Sequence, residues 1–142
     1  MTTYPLHKPV LLMETLSFLD PADGKGYLDA TLGYAGHTLG LLKAGADVVG
    51  IDRDNDLLDI ATDRIKEAGY GARFTPIHAA FSELAKVEGV FDGILFDLGV
   101  SSYQLDTKNR GFSFRFDAPL DMRMDKDLAV TARDLVNGLG KN

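Results

Sequence analysis

The sequence contains no cysteine. A disulfide framework, a thiolate zinc site, an iron–sulfur cluster and a cysteine nucleophile are thereby excluded. Long apolar runs are also missing. Stretches such as Val10-Leu11-Leu12-Met13 are too short for a membrane span or a signal-peptide core. The expectation is a soluble, cytoplasmic protein with no membrane partner. Basic charge is scarce, with 15 Lys+Arg against 21 Asp+Glu and a net charge of −6. That balance argues against a general nucleic-acid binder. Residues 100–126 differ: five basic and four acidic side chains leave them at +1 and the remainder at −7. A polyanion contact there would be local and modest.

What is present suits one domain. The chain has 142 residues, 45% of them hydrophobic, enough for a packed core. Pro9 suits the first turn of a helix running to about Leu19, ended by Asp20-Pro21. Tyr27-Leu28-Asp29-Ala30 reads as a strand, Gly33 to Gly36 as a glycine-bearing loop, and His37 to Ala44 as a helix stopped by Gly45. Val48 to Asp52 is a second strand, apolar throughout because both sheet faces are covered. From Asp54 to Ala68, Leu57, Ala61, Ile65 and Ala68 recur at helical spacing. Arg73 to His78 is a third strand, and Pro76 within it predicts a sheet edge. Phe91 to Asp97 is a fourth, with Ile94-Leu95-Phe96 as its buried run.

Such alternation predicts an α/β fold, a Rossmann-like parallel sheet of order 3-2-1-4 with right-handed crossovers. Residues 1–99 form this core. Residues 100–142 are expected to be irregular, apart from a short helix at Thr131 to Asn137 opened by a Thr131/Asp134 capping pair.

Three acidic residues mark a candidate site. Asp29 opens the segment Asp29-Ala30-Thr31-Leu32-Gly33-Tyr34-Ala35-Gly36-His37, where small residues let a ligand approach the backbone at a helix N-terminus. The segment departs from G-x-G-x-x-G, with Ala35 and Thr38 at the later glycine positions, and tight strand–helix turns use glycine in any case. Asp52 lies 19 residues after Gly33, near the spacing of an acid that accepts both hydroxyls of a ribose; the alternative is a helix cap, for which Asp54 and Asn55 are equally good. Asp97 ends strand four, beside the crevice at the switch in strand order. With Gly99, Ser101 and Ser102 it is a catalytic or substrate-binding candidate, or else a turn cap.

Arg110-Gly111-Phe112-Ser113-Phe114-Arg115-Phe116 has the residue types for stacking on bases and contacting phosphate. Composition alone favours a short strand burying one aromatic face. Met122 and Met124 read as core fillers. His7, His37 and His78 lack metal-ligand spacing, so no metal site is expected. Only His37 lies in a motif, at a helix start, where a neutral ring can contact a ligand.

Several segments, taken in order, resemble one family: His7-Lys8-Pro9-Val10-Leu11-Leu12-Met13-Glu14, Asp29 to Gly33, Gly36-His37, Gly50-Ile51-Asp52-Arg53-Asp54, Asp97-Leu98-Gly99-Val100-Ser101-Ser102, Gln104-Leu105-Asp106, Arg110-Gly111-Phe112-Ser113-Phe114 and Leu120-Asp121-Met122-Arg123-Met124. The chain resembles the N-terminal part of the bacterial small-subunit ribosomal RNA cytosine-N4 methyltransferases, the RsmH or MraW family. The stretches Asp97 to Ser102 and Arg110 to Phe114 are the specific ones. The resemblance implies S-adenosylmethionine as methyl donor, S-adenosylhomocysteine as product, and a 16S rRNA cytosine near the decoding centre of the small ribosomal subunit as acceptor. It implies donor contacts at Gly33, Ala35, Gly36, His37, Asp52, Phe81, Asp97 and Gln104. Phe81 reads from the residues alone only as a core aromatic. Asp97 is the implied catalytic residue, and Ser101, Ser102, Arg110, Phe112, Phe114 and Arg115 are candidates for the RNA side.

Two features depart from the family. Glycine is usual where Ala35 stands, and a positive φ there would cost alanine about 1 kcal/mol. Family members also continue through a helical domain and further strands. The fold is then incomplete relative to the family. Strand four would offer a free edge for self-association, and the chain alone would be weakly active or inactive. The alternatives are a non-catalytic nucleoside-binding fragment, and a nicotinamide-binding Rossmann module, which needs pyrophosphate contacts that the sequence does not supply.

Overall fold

The structure, a computed structural model, describes residues 8–140. They form two compact units, one up to Leu98 and one from Gly99 onward.

The first unit carries a four-stranded sheet. Strands β1 (Gly26–Asp29), β2 (Asp47–Asp52), β3 (Phe74–His78) and β4 (Gly93–Leu95) lie in the order β3-β2-β1-β4, with every neighbouring pair parallel. Pro76 sits on the edge strand β3, paired with Gly50, where its missing N–H faces away from the ladder. The expected order and edge are both observed.

Helices α1 (Leu12–Leu19), α2 (Gly36–Lys43) and α3 (Asn55–Glu67) connect or precede the strands. Tyr27, Leu41, Leu42, Val48, Ile65 and Phe74 fill the core on one sheet face. In α3 the buried set is Leu57, Leu58, Ala61 and Ile65; Ala68, expected in the apolar stripe, caps the C-terminus and is exposed. The opposite face is thinner. Leu28, Ala30 and Ile51 are buried there under Ile77, Leu84, Val87 and Phe91, with a 3₁₀ turn at Phe81–Lys86 in place of a full helix.

The first helix and the fourth strand depart furthest from expectation. The first helix starts at Leu12 rather than Pro9, because Leu11 adopts φ 50°, which no right-handed helix continues. Pro9 packs on the backbone instead: a Cβ on Gly36 would meet its ring at 2.9 Å. The fourth strand is only three residues long. Ile94 and Phe96, expected in a buried run, are 52% and 46% exposed. Ile94 pairs with Leu28, on the thinly covered face. Among the described residues β4 pairs with β1 alone.

The second unit is less irregular than expected. It contains α4 (Ser102–Asp106), a 3₁₀ turn at Lys108–Arg110 and α5 (Ala132–Gly138). The Thr131/Asp134 capping pair opens α5 as expected, with Thr131 N–H donating to the Asp134 carboxylate at 2.9 Å. The segment 110–116 is a turn and not a strand, so its aromatics share no buried face. Phe114 is fully exposed. Met122 is no core filler either; it is exposed and takes φ 59°. The unit is held by Arg123, whose guanidinium grips Asp121 through two bonds of 2.8 Å. That grip holds the Asp121 carboxyl down at about 2.

Candidate functional site

The C-terminal ends of β2, β1 and β4 are adjacent, and the strand order reverses between β1 and β4. In open parallel sheets this is where ligands bind. Asp29 ends β1 and is almost wholly buried. Its carboxylate accepts the Thr31 N–H at 3.1 Å and the Thr38 hydroxyl at 2.7 Å. Burial pushes its pKa above the ordinary 3.8, with the two hydrogen bonds opposing the rise.

Asp52 ends β2. One oxygen accepts the Gly33 N–H at 2.9 Å and the other the Asp54 N–H at 2.9 Å. Desolvation raises its pKa as well. The carboxylate thus ties the loops after β1 and β2 together. It is not the helix cap; Asp54 is, accepting the Asp56 N–H at 3.2 Å. Each Asp52 oxygen keeps a second lone-pair direction beyond its backbone bond.

The loop between β1 and α2 is shaped by its own hydrogen bonds. Leu32 N–H donates to the Ile51 carbonyl at 3.0 Å, and Ala35 N–H to the Leu32 carbonyl at 2.7 Å. Arg64 of α3 donates to the Tyr34 carbonyl at 2.7 Å. Gly33 has φ 49° and Ala35 φ 60°. The positive φ considered for Ala35 is therefore real, and its cost of about 1 kcal/mol is offset by complete burial of the methyl group. The N–H groups of Thr31, Leu32, Gly33 and Ala35 are all committed within the protein. Such a loop is a poor cradle for a pyrophosphate, which needs free N–H donors.

Gly36 and His37 have structural partners. Gly36 lies under Pro9. The buried His37 ring makes a 2.9 Å hydrogen bond with the Val10 carbonyl. His78 makes a similar one with the Arg53 carbonyl at 3.1 Å. His7 lies outside the described residues. Among the described residues no group of three or more acidic or histidine side chains is arranged to hold a metal ion, and no helix is long and apolar enough to cross a membrane.

Asp97 stands two residues beyond β4. It is exposed, its N–H donates to the Thr31 hydroxyl oxygen at 2.7 Å, and its carboxylate has no hydrogen-bond partner among the described residues. Phe81 is not a core aromatic: it is 49% exposed. Its ring meets that of Phe96 edge-on, centroids 5.7 Å apart. Sequence reasoning missed this pair, because the two residues follow opposite edge strands and only the crossover brings them together.

In the second unit Gln104 is buried. Its side-chain oxygen accepts the Ser101 N–H at 3.0 Å, and its own N–H donates to Ser101 Oγ at 3.1 Å. Ser101 and Gln104 thus form the capping box of α4, and Ser102 is its first residue. Arg110 is placed inside the second unit. A candidate for the RNA side from sequence, it is buried and donates to the carbonyls of Arg123 and Met124 at 3.0 and 2.8 Å, with Phe112 against it. Arg115 is exposed and paired with Asp106 at 2.6 Å.

The buried Asp29 carboxylate makes a pH prediction. Its raised pKa means the folded state holds a proton that the unfolded chain has already lost. Stability contributed by Asp29 is therefore full below about pH 4 and declines as the pH rises towards the folded value. Urea unfolding at several pH values between 4 and 7 is expected to show a smaller decline in Asp29→Asn than in the native chain. An unchanged slope would show that Asp29 titrates normally.

The chain matches the model of the MraW methylase family over residues 5–142. It is 49% identical over 141 residues to the ribosomal RNA small subunit methyltransferase H of Bifidobacterium animalis subsp. lactis, covering 92% of this chain and 40% of the relative. Its identity to the protein of that name from Geobacter sulfurreducens is 47% over 145 residues, covering 96% of this chain and 46% of the relative. The chain thus spans less than half the length of these curated relatives. Among solved structures, the C-terminal domain of precorrin-6Y C5,15-methyltransferase from Rhodobacter capsulatus superposes with a TM-score of 0.59 at 18% identity, over 64% of this chain and 50% of that one. A dimethyladenosine transferase from Plasmodium falciparum gives a TM-score of 0.55 at 21% identity, over 64% of this chain and 32% of that one. These likenesses show the Rossmann-like methyltransferase fold.

Proposed function

This chain belongs to the MraW methylase family, and from that premise we propose that it is the donor-binding part of an S-adenosylmethionine-dependent methyltransferase. Its acceptor is the N4 amine of a cytosine in 16S rRNA of the small ribosomal subunit. The observation that carries this reading is the gathering of Asp52, the Gly33 loop and Asp97 at the C-terminal ends of three adjacent strands. The chemistry of the site suits a cationic ligand. The carboxylates of Asp52 and Asp97 lie at or just beyond these strand ends, while the loop N–H groups that a phosphate would need are already bonded. When bound, the cofactor supplies an electrophilic methyl group on a sulfonium.

The residues divide the work. Asp52 accepts the ribose hydroxyls through its remaining lone pairs. The half-exposed ring of Phe81 offers a face to the adenine. Ala35, Gly36 and His37 shape the loop against which the donor lies, with Pro9 and Val10 fixing them from behind. The cytosine amine is a poor nucleophile because its lone pair is delocalised into the ring. The exposed Asp97 carboxylate contacts the donor and also accepts a hydrogen bond from that amine, orients it and offsets the positive charge that grows on nitrogen. The target base must leave its stack to arrive there, which fits single-stranded RNA. In the second unit the wholly exposed Phe114, beside Arg115, is the residue best suited to stack on RNA.

Calorimetric titration of the chain with S-adenosylhomocysteine and, separately, with NAD tests this reading. Saturable binding of the first and none of the second is the expected result. Binding of NAD, or of neither, overturns it.

A further inference from the structure

We propose that Thr31 is the positioning residue for Asp97. The parallel β1–β4 ladder ends where the Ala30 N–H donates to the Leu95 carbonyl at 2.9 Å. Beyond that rung the Thr31 side chain adds one more: its hydroxyl oxygen accepts the Asp97 N–H at 2.7 Å. This is the only hydrogen bond of Asp97 among the described residues, and it falls just before the chain leaves the first unit at Leu98. Thr31 is itself held, because its N–H donates to the buried Asp29, which also receives the Thr38 hydroxyl. A continuous path therefore runs from the start of α2 through Asp29 and Thr31 to the backbone of Asp97. An exposed carboxylate on a strand end would otherwise sample many orientations. Here its Cα is fixed against β1, the strand that carries the donor loop.

The inference rests on the reading that Asp97 touches the donor. Its test is a double-mutant cycle in this chain, with Thr31→Val and Asp97→Ala, alone and together, and S-adenosylhomocysteine affinity as the readout. A residue that acts through Asp97 loses its effect once the carboxylate is gone. Thr31→Val is expected to weaken binding about tenfold in the native background and less than about twofold beside Asp97→Ala, while lowering the thermal midpoint equally in both. Thr31→Ser, which keeps the acceptor oxygen, restores most of the affinity. Equal weakening in both backgrounds, or none in either, overturns the proposal. Full affinity in Asp97→Ala alone would instead overturn the donor contact of Asp97, and the positioning role with it. Thr31→Ala is carried through the same cycle, so a folding failure of the valine variant leaves the test standing.

Discussion

On the proposed reading, Asp97→Ala in an otherwise complete enzyme of this family is expected to cut methyl transfer to small ribosomal subunits by about a hundredfold or more, with little change in the stability of this chain. The two halves of that expectation have separate grounds. Asp97 is exposed and its carboxylate has no partner among the described residues. Truncating such a side chain usually shifts stability by no more than about 0.5 kcal/mol. Its N–H, the group that Thr31 holds, is retained in alanine. The carboxylate, by contrast, is the free acceptor at the switch point of the sheet. Losing one preorganised electrostatic partner from a reacting group costs on the order of 10²–10³ in rate. Methyl incorporation into subunits, read beside the thermal midpoint, checks both halves. Normal transfer by a complete, folded enzyme carrying Asp97→Ala would remove Asp97 from the chemistry.

Gly111→Ala is expected to lower stability by about 2–5 kcal/mol, concentrated in the second unit. Gly111 has φ 70°, and a Cβ there would overlap the Pro119 carbonyl oxygen and lie 2.7 Å from the Asp121 nitrogen. Those atoms have little room to yield. Leu120 and Asp121 carbonyls accept the N–H groups of Arg133 and Ala132 at 2.9 and 2.8 Å, and Met122 N–H donates to the Arg110 carbonyl at 3.0 Å. Gly138→Ala serves as the control, since nothing lies within 4 Å of a Cβ there. Urea unfolding of both variants, with hydrogen exchange at the Met122 and Arg133 amides, measures the difference. Equal midpoints would show that this turn can open without cost.

The strand order, the edge position of β3 and the capping of α5 were legible from residue pattern. Pro76 bars a central strand, the run Val48 to Asp52 demands two covered faces, and Thr131 with Asp134 forms a local motif. These depend on neighbours in sequence. The start of α1 was not legible, because Pro9 is committed to Gly36 and Val10 to His37, partners some 27 residues away. The role of Arg110 was also hidden. A basic residue between a turn and aromatics reads as a nucleic-acid contact, and only the return of the chain at Arg123 and Met124 gives its guanidinium an internal use.

By itself, then, the amino-acid order determined the alternating α/β framework and the strand ends where Asp29, Asp52 and Asp97 stand, since periodicity and breakers act over a few residues. Tertiary structure decided which of these carboxylates is available. Asp29 is sealed under Thr38, Asp52 is half spent bracing the Gly33 loop, and Asp97 stays open. That division follows from desolvation and from which backbone donors the fold brings within reach, quantities that no short stretch of sequence contains.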